Sequence, residues 1–214
     1  MTGDEIASYL QAHPEFFEEH SELLAHIQVP HPHEDRAIPL AERQLQQLRE
    51  RVKVLESKLR ELVSFGEEND TISERLHRTT LALMKAASLE DVLHTLYFNL
   101  REDFSVPHIA VRLWGGFSRE LPECAPVGEE TRVFAESLTS AYCSHKAMFD
   151  SASWFGEQAP GLRSFAYVSL RETGVQGVLA LASEDPQRFY PEMGTLYLQR
   201  LGELTAAAIA RQSA

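Results

Sequence analysis

Between Leu40 and Leu62 the sequence keeps a strict heptad, with Leu45, Val52 and Leu59 at a and Leu48, Leu55 and Leu62 at d. Apolar residues fill every seam position, which makes a stripe of the width that one partner helix covers, so the segment predicts a coiled coil. Val at a with Leu at d favours a parallel pair, and Arg51 at g would face Glu56 at e of the second strand. These six residues are therefore the expected homodimer interface. The alternative is a single amphipathic helix lying on its own domain. The seam ends at Gly66 and Asn69, and a bend is expected over Gly66–Asp70.

On either side of that seam the charge changes character. Residues 1–39 carry eight acids and one base, residues 40–62 six bases and four acids, and the whole 214-residue chain has a formal charge of −12. That balance disfavours nucleic acid and anionic membrane surfaces. The six bases of the coil are interleaved with acids and lack aromatic neighbours, so they read as a solvated face. Two cysteines, Cys124 and Cys143, make neither a disulfide scaffold nor a four-ligand zinc site, and Met1–Leu10 lacks a basic-then-apolar leader. A reduced, cytoplasmic protein without a membrane span is the expectation.

Three domains follow: residues 1–39, short helices and a linker; 40–70, the coiled-coil dimerisation helix; and 71–214, a mixed domain. In the first, Thr2 and Glu5 form a T-x-x-E capping box, and a second helix opens at Pro14. Phe16, Phe17, Leu23 and Leu24 then present enough apolar surface to dock a partner. Val29–Asp35 reads as an irregular linker because of its prolines. In the third, Ile72, Leu76, Thr79, Leu83 and Ala87 lie on one helical face, and Ser88 caps a helix over 89–103. His108–Trp114 alternates as a strand, Glu129–Tyr142 reads as helix, Lys146–Asp150 as a short strand and Ser151–Gly161 as a loop. Arg163–Leu170 and Val175–Ala182 form a hairpin with Gly174 in the turn, and a helix over Glu192–Arg211 closes the order. The class is α+β, with helices flanking an antiparallel sheet.

Two groups of residues resemble a known bacterial family. Tyr9-Leu10, Pro14-Glu15-Phe16-Phe17, Leu23-Leu24, Pro30-His31 and Glu42-Arg43-Gln44 make one, and Ser164-Phe165-Ala166, Gly177–Leu181, Ser183-Glu184-Asp185, Arg188-Phe189 and Met193-Gly194-Thr195 the other. Together they resemble domain of unknown function 484, whose second half is similar to GAF domains. The resemblance implies a GAF-like sheet with helices on one side and a small-molecule pocket on the other, preceded by a helical hairpin and a coiled-coil helix. It also implies that any signal leaves through the N-terminal helices or a separate partner. The Asn-Lys pair of cyclic-nucleotide-binding GAF domains is missing, and Cys143-Ser144-His145 only superficially echoes a bilin attachment site. Neither cofactor is expected.

Arg112, Trp114, Trp154, Phe155, Phe165 and Tyr167 are the candidate ligand-binding residues, aromatic faces for a planar group and Arg112 for an anion. Cys143 beside His145 could be a lowered-pKa thiol, with Cys124 as the second cysteine for GAF-type redox chemistry. His31, His33, Glu34 and Asp35, with His20 or His26 folded back, could be drawn as metal donors, but two imidazoles do not make a site. The sequence thus predicts a non-enzymatic, dimeric GAF-like sensor of an unidentified small molecule. Its alternatives are a protein-interaction adaptor with a filled, ligand-free GAF core, and a redox enzyme using Cys143.

Overall fold

The computed structural model describes residues 2–21, 23, 28–31, 34–115, 121–173 and 175–212. It divides into two compact units, residues 1–67 and 68–214.

In the first unit, helix α1 (Gly3–Ala12) begins with the expected capping box: Glu5 accepts from the Thr2 amide at 2.8 Å and Thr2 Oγ1 from the Glu5 amide. Helix α2 (Glu15–Glu19) follows at once. The proline-bearing stretch expected to be irregular instead forms strands β1 (Gln28–His31) and β2 (Glu34–Pro39), paired antiparallel with a register shift at Pro30/His31. Each strand of a two-stranded ribbon has a free edge, so the donor that Pro30 lacks is tolerated there.

Helix α3 (Leu40–Lys85) is 46 residues long and continues through Gly66–Asp70, where a bend was expected. One glycine costs a helix about 1 kcal/mol relative to alanine, too little to break so long an element. All six seam residues are exposed, from 48% to 65%.

In the second unit, α3 contributes its last turns, with Leu76, Thr79 and Leu83 buried. Helix α4 (Leu89–Glu102) starts where Ser88 Oγ accepts from the Asp91 amide at 3.1 Å. Strand β3 (His108–Trp114), helix α5 (Glu129–Ser137), strands β4 (Tyr142–Ser144), β5 (Ser164–Glu172) and β6 (Val175–Ser183) and helix α6 (Leu196–Ala210) complete it. The sheet is antiparallel in the order β3-β6-β5-β4, giving the α+β class read from the sequence.

Several boundaries differ from expectation, each for a local reason. α5 stops at Ser137 because Leu138 turns extended (φ −67°, ψ 117°) and Arg171 takes its carbonyl. The edge strand is Tyr142–Ser144, not Lys146–Asp150, fixed by pairing Tyr142 with Tyr167 and Ser144 with Phe165. Ser151–Gly161 is 3-10 helix interrupted at Gly156, whose φ of 59° suits glycine. The closing helix cannot begin at Glu192, which sits at φ 68°. Gly174 lies outside the described residues.

Strand alternation sends side chains to two cores. Val111, Leu113, Leu179, Leu181, Ala166, Val168 and Leu170 meet α3, α4 and α6. Ala110, Trp114, Val178, Ala180, Ala182, Phe165 and Tyr167 meet α5 and the segments around it. Arg211, at the end of α6, donates to the carbonyls of Leu83, Met84 and Ala86 at 3.2, 2.9 and 2.8 Å, so it caps α3 with a cation where helix polarity favours one.

Candidate functional site

The six ligand-binding candidates come together on one face of the sheet, and most of them pack on each other. Phe165 and Tyr167 project from adjacent positions of the same β5 face and are 3% and 1% exposed. Phe155 lies 6.1 Å from Phe165 by ring centroid, and Arg112 lies 5.1 Å from the Trp154 ring. Arg112 also donates to the Val111 carbonyl at 2.8 Å, so its guanidinium is engaged on both counts. The Tyr167 hydroxyl pairs with Ser151 Oγ at 2.6 Å and accepts from the Met148 amide at 3.0 Å. Its ring meets Phe134 edge-on at 5.7 Å. These side chains fill the middle of the face.

Trp114 lines a cleft at the end of that face. The register sets Trp114 beside Gln176, and Gln176 beside Arg171, in one row across β3, β6 and β5. With Ser169, Glu136 and Glu172 they line a volume of about 460 Å³. The Trp114 indole N–H is buried with no acceptor among the described residues. Arg171 is committed, its Nε to Ser169 Oγ at 2.9 Å and an Nη to the Leu138 carbonyl. The two carboxylates in this lining make the cleft polar and locally acidic.

A different cavity, which sequence reading did not find, lies on the opposite, helix-covered face. Ile72, Leu76, Leu100, Phe104, Leu181 and Phe189 are among the apolar residues enclosing about 310 Å³, together with Arg75 and Arg188. Burial holds the Arg188 guanidinium below its ordinary pKa, against the field of Asp185. The sequence signal was Arg188-Phe189 itself, a cation embedded among aromatic and apolar residues, but only folding brings Arg75 to it.

The remaining candidates are placed as follows. Phe16 and Phe17 are half-buried, their rings edge-on at 5.5 Å, and Leu23 is exposed; Leu24 lies outside the described residues. Leu45, Leu48, Val52, Leu55, Leu59 and Leu62 keep one exposed stripe of α3. Cys124 and Cys143 are buried free thiols, and burial pushes Cys143 up to about 11, the opposite of an activated thiolate. Of the metal-donor candidates, His26 and His33 lie outside the described residues, and no cluster of three His, Cys, Asp or Glu side chains occurs among those described. No helix among the described residues is long and apolar enough to cross a membrane.

Comparison with known proteins adds kinship. The chain is 24% identical over 210 residues to the uncharacterized protein YigA of Salmonella typhimurium (strain LT2), an alignment covering 92% of this chain and 86% of the relative. A family model matches residues 1–213, and the chain with its α3 stripe and four-stranded sheet belongs to the family described as protein of unknown function, DUF484.

Proposed function

We propose that the chain is a non-enzymatic, GAF-like regulatory protein that dimerises through Leu45–Leu62 and responds to a small molecule held in its α/β unit. The observation that carries this reading is the continuity of α3: its apolar stripe is bare over the six seam residues and buried at Leu76 and Leu83 in the core under the sheet. A ligand that alters packing around residues 72–83 acts on the same helix that holds two copies together. An antiparallel sheet with α3, α4 and α6 on one face supports the GAF-like assignment, and two free thiols support a reducing cytoplasm.

A second reading, an interaction adaptor with a ligand-free core, is favoured by the filled aromatic face at Phe165 and Tyr167 and by the apolar Phe16, Phe17 and Leu23. Native mass spectrometry of protein purified from its own cells, paired with a thermal-shift metabolite screen, separates the two. A co-purifying small molecule, or a shift that follows mass action, supports the regulatory reading. Protein that stays bare and indifferent to the library supports the adaptor.

A further inference from the structure

The cavity under the sheet is lined by two arginines, Arg75 and Arg188, that make no close ion pair among the described residues; Arg188 feels only the more distant field of Asp185. α3 supplies Arg75 and Leu76, α4 Leu100, β6 Leu181 and α6 Leu201, while Arg188 and Phe189 come from the segment after β6. Arg188 donates from one Nη to the Phe104 carbonyl at 2.5 Å and lies 5.6 Å from the Phe189 ring. Its Nε is buried and has no acceptor among the described residues. Ion pairs occur at His13, Arg78 and His108, while Arg75 and Arg188 make none among the described residues. In a chain of net charge −12, two cations without a close ion-pair partner at one largely apolar cavity run against the overall balance.

The surrounding backbone is strained on two sides. Ser105, between the lining residues Phe104 and Val106, has φ 53°, and Glu192, beside the lining residue Met193, has φ 68°. Such conformations persist where the surrounding structure over-determines them, often around a ligand.

An occupant must therefore present an acceptor to a guanidinium and apolar surface to the walls. A carboxylate matches the guanidinium through paired N–H···O bonds. A bare inorganic anion would leave the walls unused, and an amine would be repelled. A volume of about 310 Å³ bounded by apolar walls takes a medium-length alkyl chain, and octanoate is a suitable probe of that class. We propose that this cavity binds a medium-chain, straight-chain monocarboxylate, its carboxylate on Arg188 and Arg75 and its tail between α3, α6 and the sheet. This rests on the regulatory reading and names its ligand class and site, because Ile72, Arg75 and Leu76 belong to the helix that carries the dimer seam.

The test is calorimetric titration of the full chain with octanoate, 1-octanol and butyrate. Octanoate is expected to bind at least tenfold more tightly than either, since the alcohol lacks the charge and butyrate the tail. Arg188→Gln should weaken octanoate by at least tenfold and leave the octanol value unchanged. Should that variant fold poorly, Arg75→Gln and Gly194→Leu serve instead. Gly194 lines the cavity and a Cβ there meets nothing within 4 Å, so the backbone accepts a side chain at that point; Gly194→Leu should weaken octanoate binding by at least tenfold with the thermal midpoint retained. Equal affinity for octanoate and octanol, no octanoate binding, or full binding in folded Arg188→Gln or Gly194→Leu would overturn the proposal. If another metabolite shifts the protein while octanoate does not, this inference fails and the regulatory reading stands. If octanoate binds as described but leaves the dimer and helix α3 unchanged, the site stands and the regulatory reading fails.

Discussion

Leu62 and Leu76 occupy the same heptad position of one helix, two heptads apart, yet Leu62 is 65% exposed and Leu76 is 8% exposed. Two heptads fall only about 40° short of whole turns, so both leucines lie on nearly one stripe. Around Leu76 that stripe is covered by the domain's own core, where Leu83 follows it in register. Around Leu62 no described residue gives comparable cover, and the pairing proposed above would supply it with the same stripe of a second copy.

Leu55→Glu tests that pairing most directly. Leu55 sits at d in the middle of the seam and is exposed in the single chain, so the substitution should leave the fold of the monomer within about 0.5 kcal/mol. A parallel dimer would lose two leucines, about 1.5–3 kcal/mol each, and gain two facing carboxylates. Dissociation should become at least about 100-fold easier, and light scattering during gel filtration should change from dimer to monomer mass. A wild type that is already monomeric at the same concentration would remove the coil from the account.

Period made some of this visible beforehand and distance hid the rest. The alternation Ile109, Val111, Leu113 and the run Val178–Ala182 announce strands because each face of a strand reports its own environment. Thr2 and Ser88 announce helix starts because a cap needs only three residues of chain. Strand β4 was misplaced because three residues carry no period, and what makes Tyr142 a strand residue is Tyr167, far along the chain. The aromatic candidates share one face of the sheet, but no sequence pattern shows that Phe165 and Tyr167 are packed into its middle. Nor could any spacing rule bring Arg75 to Arg188, since four separate elements must fold before the cavity between them exists.

Close approach of α6 to β5 depends on Gly202. A Cβ at this position would lie 2.4 Å from Val168 Cγ1 and 3.3 Å from the Ser169 carbonyl. Alanine would gain about 1 kcal/mol in helix propensity, whereas overpacking costs about 1–3 kcal/mol, so the clash should win. Gly202→Ala is expected to lower the thermal midpoint by several degrees, and adding Val168→Ala should recover much of the loss by removing the struck methyl. A Gly202→Ala protein as stable as wild type would contradict the contact.

Cys143 should be a poor nucleophile and a source of alkaline instability. Burial raises its thiol from the ordinary 9.0 to about 11, so at pH 8 its thiolate fraction should be about 100-fold below that of a free thiol. In a Cys124→Ala background, aromatic-disulfide labelling of native protein should be slower by at least that factor; labelling at the rate of free cysteine would revive the redox reading. The unfolded thiol ionises first, so the neutral group's contribution is complete below pH 9 and is lost as pH rises through 11, about 2–3 kcal/mol in all. Cys143→Ala should therefore flatten the fall of stability across that window. Tyr97 and Tyr167, both raised chiefly by burial, extend the decline to higher pH.

The Tyr167 hydroxyl distinguishes a scaffold from a binding group on the aromatic face. It satisfies Ser151 Oγ at 2.6 Å and the Met148 amide at 3.0 Å, and Ser151 is itself buried. Tyr167→Phe keeps the ring and its edge-on contact with Phe134 but strips both groups of their partner, at a cost of about 1–3 kcal/mol. Denaturant melts should show that loss as a lower midpoint with an unchanged slope, because the area exposed on unfolding barely changes. If the aromatic face is scaffold, octanoate affinity in the cavity beneath the opposite face should stay within about twofold of wild type. A Tyr167→Phe protein of normal stability that loses binding of a co-purified ligand would instead return the site to the face where the six aromatic-face candidates lie.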